Sequence, residues 1–407
     1  MRVLAAVGFF GKYGETDGVI NTYRHLIPLF AGQSIQLDLM CNGPRDDLEI
    51  LAPGVRLIVH RPRIPFPLDT ERLIDPLLLV EASSTNRYVR NQHYDLVQSS
   101  TPDPTGFVAL HYARRHAVPF VGVYHTALDD YAAIRIGRVA GRALGFAAAQ
   151  FMRAWVGWYY RQAHLVLAPS DHVRRELKQD LTGPVEILSR GVDTDTFHPR
   201  FRNRTDNRVR VLFVGRVAPE KNLALLERLF ADRTDVDLTI VGAGPYLDEI
   251  KRNLPHATCT GKLNGRVLAE AYASADIFAF PSRTDTLGNV VLEAMASGLP
   301  TVVTNDMGPK ELVEHGVTGF VADSDADFGR RLDQLIADRN LRMRMGQAAR
   351  VAAEHRTWMD VFRRLVSFYR MAIDAHAGRM PAVMESRSIV GANPTDPASR
   401  HAIHRHA

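Results

Sequence analysis

Asp285 and Glu293 stand eight positions apart in SRTDTLGNVVLEAMASGLP, residues 282–300, on either side of Gly288 and inside an apolar run of helical spacing. IFAFPS before them reads as a strand and RTDT as a turn, so a helix is expected from Leu287 or Gly288, with Val290, Val291, Ala294 and Met295 as its buried stripe. The free amides of Leu287, Gly288 and Asn289 at that helix start would face an anion, and the side chain missing at Gly288 would admit a phosphate or a sugar. Carboxylates repel phosphate but accept hydrogen bonds from hydroxyl groups, so this acidic pair suits the vicinal diols of a ribose or a hexose. The plainer alternative is that Asp285 only caps the helix, since aspartate is a preferred cap.

Other strand ends supply complementary chemistry. VGRVAPEKN places Arg216 and Lys221 after an apolar run, one a planar fork and the other a point charge, and together they could clamp a diphosphate. Gly242 and Gly244 in IVGAGP would let a backbone approach a ligand closely, and the Gly261–Lys262 turn could read a base edge. Taken singly, each of these is equally a solvated loop or a structural turn. Taken together, sites for a diphosphate, a ribose and a hexose are the parts of a nucleotide sugar.

These residues need a scaffold, and the chain has material for one. At 407 residues and 46% hydrophobic content it exceeds a single ordinary domain. In the first half RVLAAVGFF, IQLDLMC, VRLIVH, YDLVQSS, PFVGVYHT and LVLAPS read as strands, and in the second RVRVLFVGRV, VDLTIVGAGP, ATCTGKL, IFAFPS, PTVVTND and GFVAD. Val- and Leu-rich runs without alternation, separated by helical stretches, predict an α/β fold of two parallel sheets covered on both faces. The polar, aperiodic FHPRFRNRTDN at 197–207 is the expected linker, giving Rossmann-like domains at 1–198 and 199–377. RTWMDVFRRLVSFYRMAIDAH reads as a final amphipathic helix, and 378–407 as a tail without a packing pattern, expected to be disordered.

Composition narrows the setting. Cys41 and Cys259 are the only cysteines, too few for a disulfide framework, which predicts a reducing, cytoplasmic location. The N-terminal apolar segment is too short for a secretion signal or a membrane span. A net charge of +5 permits an anionic partner but is too mild and dispersed to argue for nucleic acid. Between residues 131 and 170 five arginines (135, 138, 142, 153 and 161) occur without any acid, beside Trp155, Trp158, Tyr159 and Tyr160. Residues 131–165 therefore read either as a basic, aromatic face for an anionic membrane surface or as a helix packed on the sheet with a solvated edge. Asp193 with Asp195, and Asp323 with Asp325, spell Asp-x-Asp but sit where turn and capping acids are expected, so no metal site is assigned.

DGVINTYRHL, YHTALDDY, SRGVDTDTFHP, VGRVAPEKNL, GAGP, YASADIFAFPS, TDTLGNVVLEAMASGLPTVV and GPKELVEHGVTGFV, in that order, resemble the retaining glycosyltransferases of family 4, which share the GT-B fold. The resemblance covers most of the chain. It implies a donor diphosphate held by Arg216 and Lys221, ribose hydroxyls held by Glu293, sugar hydroxyls held by Asp285, and contact of His125 with the transferred sugar. It also implies a final helix that crosses back to the first domain. Gly18 matches a family glycine that lets the first helix start approach the diphosphate, while Asp17 replaces a second one. The family commonly has glutamate where Asp285 stands, and this departure, with SRGVD and TDT, resembles the branch of α-mannosyltransferases and diacylglycerol glycolipid synthases. Front-face displacement with retention is the implied mechanism, without a metal cofactor. The implied donor is a nucleotide-diphosphate sugar of the GDP-mannose or UDP-glucose type, and the acceptor a lipid or glycan hydroxyl. A lipid acceptor would place the protein peripherally on the inner face of the membrane. A GT-B phosphorylase or hydrolase, and a non-catalytic nucleotide-sugar binding module, are the alternative readings.

Overall fold

The computed structural model describes residues 1–8, 10, 18–61, 66–67, 73–74, 87–125 and 141–379. Its first sheet starts from β1 (Arg2–Gly8), whose side chains from Val3 onward are buried, as expected of an apolar strand with neighbours on both sides. β2 (Gln36–Asn42), β3 (Asp47–Ala52) and β4 (Val55–His60) follow; Phe66–Pro67 (β5) and Leu73–Ile74 (β6) form a separate short pair. β7 (Leu96–Ser99), β8 (Phe120–Val123), β9 (Leu165–Ala168) and β10 (Val185–Ile187) complete the sheet in the order β10-β9-β8-β7-β1-β2-β4-β3. All pairings are parallel except β3 with β4. That edge hairpin corrects the expectation of a wholly parallel sheet. Pro53-Gly54 turns the chain, with Gly54 at φ +78°, and β3 is not fully buried, so it lacks the continuous apolar run that marks the other strands.

The second sheet comprises β11 (Arg210–Val214), β12 (Asp237–Val241), β13 (Thr258–Gly261), β14 (Ile277–Phe280), β15 (Thr301–Thr304) and β16 (Gly319–Ala322), all parallel, in the order β13-β12-β11-β14-β15-β16. The chain winds outward from β11 in one direction and then returns to build from β14 in the other. The seam between β11 and β14 is therefore a topological switch point, where open sheets of this type hold ligands beyond the strand ends.

The stretch between the sheets is pinned to the second one. Arg202 donates to the Ala275 carbonyl (2.9 Å) and to Asp276 Oδ1 (2.9 Å), and Arg204, its side chain only 6% exposed, donates to the Ser274 carbonyl (3.1 Å). The helix Trp358–His376 lays Val361, Phe362, Leu365, Val366, Phe368 and Tyr369 into the core that covers one face of the first sheet. Phe362 meets Phe30 edge-on at 4.9 Å, and Tyr369 donates to the buried Gln98 of β7 at 2.6 Å. Residues 380–407, the greater part of the expected tail, lie outside the described residues.

The helix Arg142–Tyr160 amends the reading of the basic, aromatic stretch. Tyr159 and Tyr160 are core residues: Tyr159 donates to Ser99 Oγ (2.7 Å), and the Tyr160 hydroxyl lies 3.3 Å from the carbonyls of Ser100 and Val123. They cannot reach a headgroup layer. Trp155 and Trp158 stack on each other at 5.7 Å and against Phe107. Trp158 is nonetheless 36% exposed, and the most exposed apolar groups of this helix are Leu144, Phe146 and Phe151, at 58%, 67% and 66%. Arg153 is paired with Asp180 at 2.8 Å, whereas Arg135 and Arg138 lie outside the described residues. Among the described residues no helix is long and apolar enough to cross a membrane.

Candidate active site

Lys221 follows β11 at the end of a short 3-10 turn, Pro219–Lys221, and Asp285 lies in the loop after β14. The two meet across the seam between those strands: Lys221 Nζ sits 2.7 Å from Asp285 Oδ1 and 2.8 Å from Oδ2, with side chains 12% and 21% exposed. A carboxylate so engaged is not a helix cap. The helix in fact begins at Asn289, later than the sequence pattern indicates, because Gly288 takes φ +84° and stands at the cap position with no side-chain bond. Val291, Ala294 and Met295 of the expected stripe are buried, joined by Leu292, while Val290 is only partly covered. Leu287 is a core side chain, 4% exposed, so it offers a ligand only its backbone.

Arg216 stands on the same β11 loop, its Nη1 3.8 Å from Glu220 Oε1 and its side chain 39% exposed. What holds this loop is the glycine pair. A Cβ on Gly242 would fall 1.9 Å from the Gly215 carbonyl oxygen, and one on Gly244 2.3 Å from that of Val217. The close approach these glycines permit is thus to the Arg216 loop itself, which also donates from Gly215 N to Val241 O and from Val217 N to Ala243 O, both at 3.0 Å. Lys262 is exposed just past the edge strand β13, whose Gly261 carbonyl accepts from Gly242 N at 2.9 Å.

Glu293 lies in the second turn of its helix, and its Oε2 accepts from the buried Tyr272 hydroxyl at 2.8 Å. Burial pushes its carboxyl up from the ordinary 4.5 to about 7, against the lowering effect of that hydrogen bond. Tyr272, from the helix Gly265–Ala273, was not evident in the sequence; aromatic residues at helical spacing read simply as core.

The first domain closes the other side. The helix Gly18–Phe30 begins so near the Asn289 helix that a Cβ on Gly18 would lie 3.5 Å from Asn289 Nδ2, bringing two helix starts, both positive ends, together. His125 follows β8, and its carbonyl accepts from Thr286 Oγ1 at 2.8 Å, which ties it to the Asp285 loop. Its Nδ1 lies 2.5 Å from Arg190 Nη2. Burial, then the Arg190 charge, hold its pKa well below the usual histidine range, so the ring is neutral. Arg190 is a residue the sequence reading passed over: SRGVD showed an arginine before a glycine, but nothing there signalled a side chain only 5% exposed. Gly18, His125, Lys221, Asp285 and Asn289 are thus brought to one cleft, with Arg216 on its β11 loop and Glu293 in the helix behind Asn289.

Of the Asp-x-Asp acids only Asp193 is a turn group; Ser324 caps the helix that follows Asp323, and Asp325 is paired with Arg283 at 2.6 Å. Asp193 accepts from the amides of Asp195 and Thr196, both at 3.0 Å, and Asp323 accepts from Asn305 at 2.7 Å.

Two family descriptions tile the chain, Glycosyltransferase Family 4 over residues 16–196 and Glycosyl transferases group 1 over residues 195–352. The chain is 36% identical to a GDP-mannose-dependent alpha-mannosyltransferase of Mycolicibacterium smegmatis, over 69% of this chain and 74% of that one. It is 34% identical to one of Mycobacterium tuberculosis, over 88% and 92%. A GDP-mannose-dependent alpha-(1-6)-phosphatidylinositol monomannoside mannosyltransferase of Mycobacterium tuberculosis is 36% identical, over 46% of this chain and 56% of that relative. Among solved structures, sucrose-phosphate synthase from Thermosynechococcus elongatus superposes with a TM-score of 0.74 at 18% identity, covering 92% of this chain and 99% of the other, a likeness of fold. The chain therefore belongs to the family 4 glycosyltransferases and is a glycosyltransferase of the GT-B fold.

Proposed function

We propose that the protein moves a hexose, mannose from GDP-mannose, to an acceptor hydroxyl on a membrane lipid, with retention of anomeric configuration. The observation that carries this reading is the meeting of Lys221 and Asp285 at the switch point of the second sheet, opposite His125 and Gly18. Lys221 and Arg216 take the donor diphosphate, supported by the helix-start amides of Gly288 and Asn289. Lys221 then stands between two anions, drawing Asp285 towards the sugar hydroxyls beside the phosphate. Glu293 takes the ribose hydroxyls, and His125 an oxygen of the hexose. The close relation to GDP-mannose-dependent enzymes supports the donor.

In the reaction the bond from the anomeric carbon to the phosphate oxygen breaks as the sugar becomes oxocarbenium-like, and the new bond to the acceptor oxygen forms on the same face. The acceptor proton passes to the departing phosphate oxygen. Charge building on the diphosphate is met by groups already in place, which lowers the barrier without reorganisation. On this reading the protein's own cations do the work a metal does in other transferases.

The lipid acceptor rests on the helix Arg142–Tyr160, which carries no acid and exposes Leu144, Phe146 and Phe151. Apolar side chains exposed on a helix without acids suit an anionic bilayer surface, where the protein would sit peripherally. The relative named for phosphatidylinositol monomannoside agrees with such an acceptor.

The test is incubation with GDP-, UDP- and ADP-sugars, with lipid vesicles or soluble glycans, reading nucleotide release and the anomeric configuration of the product by NMR. Release confined to GDP-mannose with a lipid, giving the α-anomer, is the expected result. A β-linked product overturns retention, turnover only with inorganic phosphate or water overturns the transfer, and equal activity on soluble glycans overturns the lipid acceptor.

A further inference from the structure

Arg190 is a buried arginine for which the donor chemistry has no evident use. Among the described residues it has no ion-pair partner; its Nη1 donates to the Leu188 carbonyl at 3.1 Å and its Nη2 faces His125 Nδ1 at 2.5 Å. Tyr23, from the first helix, lies close enough to act on the Arg190 charge, but burial pushes its hydroxyl up to about 12, so it stays neutral. Burying an arginine without a carboxylate is costly, so its retention calls for a reason.

The geometry supplies one. A guanidinium has hydrogen-bond donors only. His125 Nδ1 must therefore be the acceptor, and the one ring hydrogen must sit on Nε2. A hydrogen on Nδ1, in the other tautomer or in the imidazolium, would point at an N–H of Arg190. Nε2 is itself buried and has no hydrogen-bond partner among the described residues. An N–H so placed is missing an acceptor, a state that is costly for a buried donor. The Thr286 bond to the His125 carbonyl keeps the ring beside the Asp285 loop, where the hexose is proposed to lie.

We propose that Arg190 is a positioning residue of the sugar site: by donating to Nδ1 it locks His125 as the Nε2–H tautomer, a permanent donor to an oxygen of the bound hexose. This rests on the site assignment given under the proposed function. A fixed donor reads a lone pair at one place on the sugar ring, and it cannot drift to the lone-pair form that would ask the same hydroxyl for a proton. It also keeps the imidazole from taking a proton in competition with the departing phosphate.

The experiment is long-range proton–nitrogen NMR on protein with nitrogen-15 histidine, comparing the natural protein, His125→Asn for assignment, Arg190→Met and Arg190→Lys. The natural protein is expected to hold His125 in the Nε2–H form from about pH 8 to about pH 5.5, a range in which an ordinary histidine titrates. Arg190→Met, which removes the donor, should show mixed tautomers; Arg190→Lys, whose ammonium also only donates, should restore the single form. GDP-mannose should shift the Nε2–H resonance, while GDP alone should not. Arg190→Met should lower kcat by roughly tenfold to a hundredfold, as a misplaced contact does, with the inhibition constant for GDP unchanged. An Nδ1–H or imidazolium form in the natural protein, or an unchanged tautomer in Arg190→Met, overturns the lock. A tautomer change with full kcat overturns its role in the reaction. If no sugar donor is turned over and GDP-mannose leaves the spectrum unmoved, the functional reading fails, while the spectra without ligand still decide whether Arg190 sets the tautomer.

Discussion

Glu293 holds its proton to about pH 7 in the folded chain, whereas unfolded it would release it near 4.5. Between those values the folded state binds more protons than the unfolded one, so this group's contribution is fully present below about 4.5 and is lost as pH rises through 7. The loss is on the order of 3 kcal/mol at about 1.4 kcal/mol per unit. Glu293→Gln should flatten this part of the stability–pH curve, measured by calorimetry. Donor affinity runs the other way, since the ionised carboxylate is the better acceptor for ribose hydroxyls. The KM for donor should fall as pH rises through about 7, and Tyr272→Phe, by removing the bond that favours the ionised form, should move that fall to higher pH. Lys221→Ala should reduce nucleotide release by more than about tenfold, or about 1.4 kcal/mol. It also strips Asp285 of its counter-charge, so Lys221→Ala with Asp285→Asn should regain stability but not turnover, read as Tm against rate. At this scale the sequence disclosed the acids and cations one by one, because Arg216, Lys221 and Asp285 sit just past strand ends and Glu293 lies in the helix that follows. It did not disclose which charges neutralise each other, since Lys221 and Asp285 are 64 residues apart and meet only through the sheet.

Elements position these groups through backbone contacts that tolerate no side chain. Gly242→Ala would drive a methyl into the Gly215 carbonyl, a contact backbone must yield to, and should cost about 3 kcal/mol, the upper end of overpacking. Gly288→Ala meets the Pro309 ring at 3.2 Å and a φ of +84°, and should cost about 1–2 kcal/mol. Urea denaturation should rank the two in that order, with both weakening GDP binding. On the helix Arg142–Tyr160, replacing Leu144, Phe146 and Phe151 by serine should lower binding to anionic vesicles by at least about a hundredfold, since each apolar side chain buried is worth about 1.5–3 kcal/mol. Co-sedimentation checks this, and unchanged binding would place the membrane contact elsewhere. The apolar runs of the central strands were legible because they are covered on both faces. The β3–β4 hairpin was not, because an edge strand needs no apolar run, and Tyr159 and Tyr160 misread as surface because composition does not say which way a helix is turned.

Across the whole molecule, a carboxylate latches the two domains, in addition to the Thr286 bond to the His125 carbonyl. Glu311, in the second domain, accepts from the amides of Asp171 (2.7 Å) and His172 (2.6 Å) at the start of the helix Asp171–Asp180 in the first. Glu311→Ala should leave GDP binding intact, raise the KM for the full donor and enlarge the radius of gyration seen by small-angle scattering. The GT-B architecture could be read from the chain, since its strands and helices alternate in two sets. The latch could not, because Glu311 looks like any acid on a short turn. The final helix has a further effect, through the order in which a ribosome releases the chain. The hydrophobic face of the first sheet that Phe362, Leu365 and Tyr369 cover must wait, uncovered, until the entire second domain has emerged. The half that is synthesised first is therefore the half completed last, and its nascent form is the stage most exposed to aggregation and most in need of a chaperone.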